Sequence, residues 1–217
     1  MSFGKSIAIL AAGAMLTAGA QAEGWYASGS IGLNTQSDSD NSGETGAFTT
    51  GNLGDGSTLD VAAGTPYGWT TEFDNGLALS GEFGKRLGNG WRFGGEIAYT
   101  SADVDTHTGV TLGGGSIDGV DAAAIAGSPT ALGVTVADVV ADGQGDISSL
   151  GVFANVYYDF NTGAQFQPYV GAGLGFADVD VSYQPSGIAV IDDGETKFAY
   201  QLRAGGSYLV SDTLEIF

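Results

Sequence analysis

Charged side chains stand at alternate positions within several apolar segments, and they are the first candidates for chemistry in this sequence. In a β-strand successive side chains face opposite sides, so these charges share a face away from the apolar side chains. Buried charges must be paired or neutralised. We therefore expect an interior network in which Arg203 meets Glu82 and Glu96. The candidate network is Glu82, Arg86, Arg92, Glu96 and Arg203.

The sole histidine, His107, ends an Asp-x-Asp-x-His motif. Period two puts Asp103, Asp105 and His107 on one face, and Asp178 and Asp180 lie at a similar height on another strand. A histidine opposed by carboxylates can activate water for hydrolysis. Acidic side chains at a loop rim are more often simply solvated, so we expect no enzyme and keep a rim-site hydrolase as an alternative.

Two acidic segments resemble calcium loops only in part. The segment 38–43 begins like an EF-hand loop, but Thr49 stands where the bidentate glutamate belongs. The segment 113–118 has one glycine-aspartate unit that does not recur. We predict no defined metal site and no cofactor. The other interpretation of such loops is that they are solvated and mobile.

Composition excludes several classes of protein. The formal charge of −19 with only six Lys and Arg argues against a nucleic-acid partner, since phosphate binding needs clustered cations. Cysteine is absent, which excludes disulfides and thiolate metal sites. An aromatic content of 11% is too high for a disordered acidic chain.

Residues 1–22 have the pattern of a secretory signal. Lys5 is followed by an apolar stretch, and Ala20 and Ala22 form a small-x-small cleavage site that makes Glu23 the first mature residue. The alternative is a membrane anchor. The stretch is shorter than the roughly 20 apolar residues that a helical span requires, so we predict cleavage.

The remaining chain, 23–217, alternates with period two and predicts antiparallel strands of about the length that crosses a bilayer at a tilt. Aromatic residues collect near strand ends, as interfacial girdles require. Two long acidic loops, at about 35–72 and 106–146, and a medium loop at about 184–195 alternate with short turns, which is typical of a transmembrane β-barrel. The predicted strands lie near 24–34, 73–87, 91–105, 147–160, 167–183, 196–210 and 214–217.

The segments 24–29, 168–175 and 198–205 resemble the OmpA-like/opacity-type family of outer-membrane β-barrels, and residues 88–96 are similar to its first periplasmic hairpin. The resemblance covers the strands and leaves the long loops unmatched. It implies an all-β, up-and-down transmembrane barrel of eight strands, with both termini in the periplasm and a location in the outer membrane.

The end of the sequence departs from that family pattern. Residues 214–217 look like the opening of a seventh strand, so about six and a half strands are present. The alternative is that Phe217 is the aromatic end of an assembly signal, but Thr213 and Glu215 occupy places where that signal has apolar residues. Unpaired strand edges are unfavourable in lipid. We expect that the 217-residue chain alone forms no heat-resistant barrel.

The expected function is that of an integral barrel that supports the envelope and displays loops for surface interactions such as adhesion. Eight strands leave little open diameter, so the charges are expected to fill the lumen. A narrow porin-like channel is the alternative. Expected partners are outer-membrane lipid, lipopolysaccharide and an extracellular ligand of the acidic loops.

Overall fold

In a computed structural model the chain is almost entirely antiparallel sheet. The structure describes residues 9–18, 23–160, 164–184, 191–211 and 214–216, with the side chains of 23 onward except those of 191 and 192. The strands are β1 (Ile9–Ala18), β2 (Gly24–Gln36), β3 (Ser39–Glu44), β4 (Phe48–Thr49), β5 (Asp60–Val61), β6 (Pro66–Phe73), β7 (Gly76–Arg86), β8 (Trp91–Leu112), β9 (Gly115–Ser116), β10 (Gly145–Asp159), β11 (Phe166–Tyr183), β12 (Ile191–Ser211) and β13 (Leu214–Ile216), and the helices are α1 (Ala123–Ala126) and α2 (Val136–Val140).

Eight of these strands close into a barrel. The hydrogen-bonded order is β1, β2, β7, β8, β10, β11, β12 and β13, and β13 pairs back to β1. All of these pairings are antiparallel. The short turn between β7 and β8 has Asn89 followed by Gly90 at φ 88°, a conformation that favours glycine. The predicted all-β antiparallel barrel is confirmed.

The barrel differs from the sequence expectation at the junction between its two ends. The expected gap between β13 and β2 is filled by β1, which lies within the predicted export signal. β1 pairs with β2 along its whole length, from Ile9 opposite Gln36 to Ala18 opposite Ala27, and with β13 over three residues. Cleavage after Ala22 stays a prediction, and it would remove β1 from this position. Ala20, Ala22 and Phe217 lie outside the described residues.

The barrel strands alternate between exposed apolar and buried polar side chains, as predicted. In β8, Trp91, Phe93 and Ile97 are exposed, whereas Arg92 and Glu96 are buried. The same alternation holds in β2, β7, β10 and β11. Strand bounds agree with the predicted ones within a few residues for most barrel strands. β8 is the main exception, because it continues to Leu112 and rises above the barrel.

The two long loops are folded, which corrects the interpretation of them as merely solvated segments. In the first loop, β6 pairs with the upper half of β8 and β3 pairs with β6, so the sheet extends beyond the barrel. The second loop contains α1 and α2. α2 begins with a reciprocal capping box between Thr135 and Asp138, which satisfies backbone donors that the helix leaves free. None of the helices among the described residues is long and apolar enough to cross a membrane.

A small core closes the long-loop end of the barrel. Val104 and Tyr183 are buried there, and Trp69, Phe73 and Val181 pack against them. We call this core the cap, together with the buried polar residues Asn41, Thr71 and His107. It joins β3, β6, β8 and β11, so the extended sheet is anchored on the barrel.

Candidate functional site

The lumen holds a hydrogen-bonded network built from inward side chains of five strands. Its centre is Glu82 of β7, which is 7% exposed. One Glu82 oxygen accepts a hydrogen bond of 2.5 Å from the Tyr26 hydroxyl. The other accepts bonds from Asn155 Nδ2 at 2.6 Å and from the Tyr157 hydroxyl at 2.7 Å. Three neutral donors from β2 and β10 therefore stabilise this buried carboxylate.

Glu96 of β8 lies directly opposite Glu82 in the strand register. Two like charges at such a position repel each other, so both need compensation. Arg203 of β12 donates to Glu96 Oε1 at 2.5 Å, and Gln201 donates to Glu96 Oε2 at 2.7 Å. Asn155 Nδ2 also reaches Glu96, at 2.8 Å, and so bridges the two carboxylates.

A second charged group lies closer to the short-turn end. Arg86 donates to both oxygens of Glu215, at 2.8 and 3.0 Å, which is the strong bidentate arrangement. Asp159 lies 3.2 Å from Arg92 Nη2 and 3.5 Å from Arg86 Nε. The Arg92 guanidinium also stacks 4.4 Å from the centre of the Tyr157 ring. This group contains two cations and two anions.

Inward glycines make the space for these large side chains. A Cβ atom on Gly94 would lie 2.7 Å from both the Tyr26 hydroxyl and Glu82 Cδ. On β11, Gly171 and Gly173 face Tyr157 and Asn155 in the same way. A cavity of about 10 Å³ remains between Ser28, Ser80, Glu82, Arg92, Tyr157, Tyr169 and Arg203, roughly the space of one water.

The structure places all five predicted network residues in the lumen but divides them between the two groups. Arg203 pairs with Glu96 and is connected to Glu82 through other side chains: through Asn155, which bridges the two carboxylates, and through Tyr157, whose hydroxyl lies 3.5 Å from Arg203 Nη1. Sequence reasoning missed the neutral and end-of-strand members because it searched for charges within strands. The signal available in the sequence was that each of these residues occupies an inward position in the period-two pattern. The missed residues are Tyr26, Asn155, Tyr157, Asp159, Gln201 and Glu215.

His107 lies inside the cap, 3% exposed, and its Nδ1 is 2.9 Å from Thr71 Oγ1. Thr71 Oγ1 already accepts from Asn41 Nδ2 and from Trp69 Nε1. Its single proton is therefore donated to His107, so Nδ1 is an acceptor and the neutral ring carries its proton on Nε2. Burial lowers the pKa of His107, although the Gln144 backbone and Asp142 oppose the shift.

The expectation that Asp103, Asp105 and His107 share one face, which the hydrolase alternative requires, is wrong. Phe73 of β6 pairs with Val104 of β8, and the neighbouring Glu72 pairs with Thr106. Asp105 is therefore an additional residue of β8 at this point of the ladder, which is a β-bulge. This bulge reverses the parity of the residues after it. His107 therefore points inward, while Asp103 and Asp105 remain exposed. Asp178 and Asp180 are also exposed, on the outside of β11.

The calcium interpretations do not match the structure either. Residues 39–44 form β3, in which Asn41 points inward and Asp40 accepts a bond from Thr70. Asp118 accepts bonds from the Val110 amide and Ser116, so it closes a turn. Within the described part of the chain, no group of three His, Asp or Glu side chains is arranged to hold a metal ion.

The outside of the barrel is a continuous apolar surface. Leu202 is 81% exposed and Ile31 is 60% exposed, and many other large apolar side chains on the barrel strands are exposed as well. So many together form a patch, unlike the scattered single hydrophobic residues of an ordinary protein surface. Aromatic side chains stack near the short-turn end, as in the pairs Trp25–Phe83 and Trp91–Tyr158. Not every aromatic residue near a strand end belongs to such a girdle, because Tyr26 lies in the lumen and Trp69 in the cap. We call this surface the apolar belt; its large members are Trp25, Ile31, Leu33, Leu77, Leu79, Phe83, Trp91, Phe93, Ile97, Tyr99, Leu150, Val152, Phe160, Phe166, Val170, Leu174, Phe176, Phe198, Tyr200, Leu202, Tyr208, Val210, Leu214 and Ile216.

The fold and the lumen define a class: a closed antiparallel β-barrel with an apolar exterior, a filled polar interior and a folded loop region at one end. The model of the surface antigen family matches residues 36–217, and the chain belongs to that family. Membership supports an exposed position at the cell surface or outer membrane. Comparisons with curated proteins and with solved structures gave no match.

Proposed function

We propose that this protein is an integral outer-membrane barrel whose lumen is closed and whose loop region faces the cell exterior. The observation that carries the proposal is the apolar belt around a polar, charge-paired interior. On a water-soluble protein, apolar atoms make up about 60% of the surface, but they are interspersed with polar and charged groups. A face that contacts lipid must instead be almost without charge. The proposed role is to support the envelope and to offer the loops for surface interactions such as adhesion.

The side chains near the short turns support this placement. The stacked aromatic side chains near the short turns are the type found at membrane interfaces. Lys85 points outward beside Trp25, where a long cationic side chain can reach lipid phosphates. We therefore propose membrane lipid and lipopolysaccharide as the partners of the belt. The closer kinship with OmpA-like/opacity-type barrels and the export signal of residues 1–22 belong to the same proposal. The closed barrel described above is that of the uncleaved chain, in which β1 joins β2 to β13.

The lumen is proposed to be a plug that holds the barrel together and conducts no ions. The bonds from Arg203, Gln201 and Asn155 to Glu96 cross the interior and leave little free space. Planar-bilayer recordings test this point. We expect no conductance from the wild type, and opening only when Arg203→Ala removes the large side chain. Steady wild-type channels would support the porin-like alternative.

A non-enzymatic role is part of the proposal. The imidazole of His107 lies inside the cap while the acidic side chains once considered as its partners face solvent. Water activation needs these groups within hydrogen-bond reach of each other.

Epitope insertion tests the membrane topology. One tag is placed at Gly56, in the first long loop, and a matched tag at Gly88, in the short turn after β7. We expect antibody to label the Gly56 tag on intact cells and the Gly88 tag only after permeabilisation. The opposite labelling, or recovery of the protein in the soluble periplasmic fraction, would overturn the proposed function.

A further inference from the structure

The two long loops form one hydrogen-bonded unit, which we call the crown and define as residues 48–61 and 121–136. The Gly51 amide donates to the Ala124 carbonyl at 3.1 Å, and the Asn52 amide donates to the Ser128 carbonyl at 2.9 Å. A Cβ atom on Gly51 would collide with the Ala123 carbonyl oxygen, so the two loops are in close contact. The crown is therefore a single composite surface.

The crown is also held rigid from within. The Asp121 carboxylate accepts bonds of 2.9 Å from the amides of Ala123, Leu132 and Gly133. The Ala122 amide donates to the Val134 carbonyl. A preorganised surface loses less entropy on binding than a mobile loop does. This arrangement is typical of a surface that recognises a partner.

Large apolar side chains project from both halves of the crown into solvent. Their exposures are 42% for Phe48, 52% for Leu59, 49% for Ile125, 51% for Leu132 and 43% for Val134. They lie in the loops, away from the belt that faces lipid. A single exposed apolar residue is ordinary, but several on one rigid unit mark an interaction site.

The long loops that carry these side chains have charge of one sign. The segments 35–75 and 106–146 contain no Lys or Arg. Hydrogen bonds from Ser57 lower the pKa of Asp55, and hydrogen bonds from the amides of Leu132 and Ala123 lower the pKa of Asp121. Both carboxylates therefore stay charged. The acidic residues of the two segments are Asp38, Asp40, Glu44, Asp55, Asp60, Glu72, Asp74, Asp118, Asp121, Asp138, Asp142 and Asp146.

We propose that the crown is a docking surface for a cationic amphipathic polypeptide. The apolar side chains of the partner contact Phe48, Leu59 and Ile125, and its Lys and Arg side chains meet the surrounding carboxylates. Charge complementarity selects this partner, because an anionic lipid surface or a nucleic acid would be repelled. The inference rests on the proposed function, since it requires the crown to face the exterior.

Peptide binding tests the inference with the full chain in nanodiscs of zwitterionic lipid, and empty nanodiscs correct for binding to lipid. One fluorescent peptide is a cationic amphipathic helix. The matched peptide has the same charge, with serine at every apolar position. We expect anisotropy to report binding of the first peptide that weakens as salt rises, and at least about tenfold weaker binding of the second.

Crown variants locate the binding surface. The double variant Phe48→Ser with Leu59→Ser is expected to weaken binding of the amphipathic peptide at least about tenfold, because central apolar anchors dominate binding. Asp55→Asn with Asp60→Asn should reduce the salt dependence and keep the local hydrogen bonds to Ser57 and Thr49. The control Asp178→Asn with Asp180→Asn changes the same charge on β11 and should bind like the wild type. A urea-unfolding midpoint equal to that of the wild type verifies that each variant is folded.

Two results would overturn the inference. One is equal affinity for the two peptides, and the other is binding that survives the crown variants as well as it survives the β11 control. If the Gly56 tag is labelled on intact cells while no peptide binds, only the docking surface is refuted. If the tag is not labelled, the proposed function itself fails.

Discussion

The lumen and the cap both bury polar side chains, but they compensate them in different ways. In the lumen, carboxylates meet guanidinium groups, as in Arg203–Glu96 and the bidentate Arg86–Glu215 pair. In the cap, neutral groups share bonds around Thr71 Oγ1, and the one basic group is the uncharged imidazole of His107.

The difference follows from what surrounds each region. The lumen is enclosed by strands whose outer faces are apolar, so an unpaired charge there would have neither water nor a counter-ion. The cap lies above the belt and packs apolar side chains around its polar centre, so a neutral network is enough. The comparison predicts that removal of one member of a charged pair destabilises the lumen, whereas protonation of His107 destabilises the cap.

The largest expected effect is in the lumen. Arg203→Met leaves Glu96 buried without its cation and should cost about 3–5 kcal/mol of unfolding free energy. The double variant Arg203→Met with Glu96→Gln should recover part of this loss, since no uncompensated charge remains. Urea unfolding in detergent or nanodiscs measures both. A double variant less stable than the single one would contradict the explanation by charge pairing.

A smaller effect tests the packing of the lumen. Gly94→Val inserts a side chain where Tyr26 and Glu82 already lie, and overpacking of this kind costs about 1–3 kcal/mol. Gly95→Val is the matched control, because Gly95 faces outward and has nothing within 4 Å of its Cβ position. Urea midpoints should fall for the first variant and stay near the wild type for the second. Equal losses would show that strand propensity, and not lumen space, decides the outcome.

The smallest effect concerns the cap and pH. Burial makes the folded-state pKa of His107 lower than its ordinary value of 6.5. The unfolded chain therefore binds the proton more readily, so the stability of the cap is complete above about pH 6.5 and falls as the pH decreases below it. Tyr183 and Asp142 are the titratable groups beside the imidazole, and neither becomes more charged in this direction. The hydrogen-exchange protection factors of residues 66–73, which correct for the slower intrinsic exchange at low pH, should fall on acidification.

His107→Gln supplies the control for the pH effect. Glutamine keeps an acceptor for the Thr71 hydroxyl but does not titrate, so the additional exchange below pH 6.5 should disappear. Fluorescence of Trp69, measured with Trp25 and Trp91 replaced by Phe, gives a second readout because its Nε1 donates to Thr71. An acid response that persists in His107→Gln would assign the effect to the carboxylates of the loops.

Much of the barrel was predictable because strand periodicity is local. The outward face of β8, from Trp91 to Tyr99, follows directly from alternation, and so do the inward positions of Glu82 and Arg203. Prediction ended where alternation broke. The extra residue Asp105 reversed the orientation of His107, and nothing in the local pattern of polar residues marks a bulge.

The fold of the long loops could not be predicted from the sequence, for a different reason. β3 is a short polar strand and β6 a short strand rich in aromatic residues, and their pairing depends on the extension of β8 above the barrel. The Gly51–Ala124 contact joins segments far apart in the chain. Such contacts form only after the barrel has placed both loops at one end.

The sequence alone determined which side of each barrel strand is apolar and which residue types lie inside, because both follow from a period of two. Only the tertiary structure decided which partners meet. Closure of the ring brings Glu215 to Arg86 and divides the charges into two groups, and it seats β1 beside β2. Pairing across a barrel depends on strand register, which is set by all the hydrogen-bonded neighbours together and by no single segment.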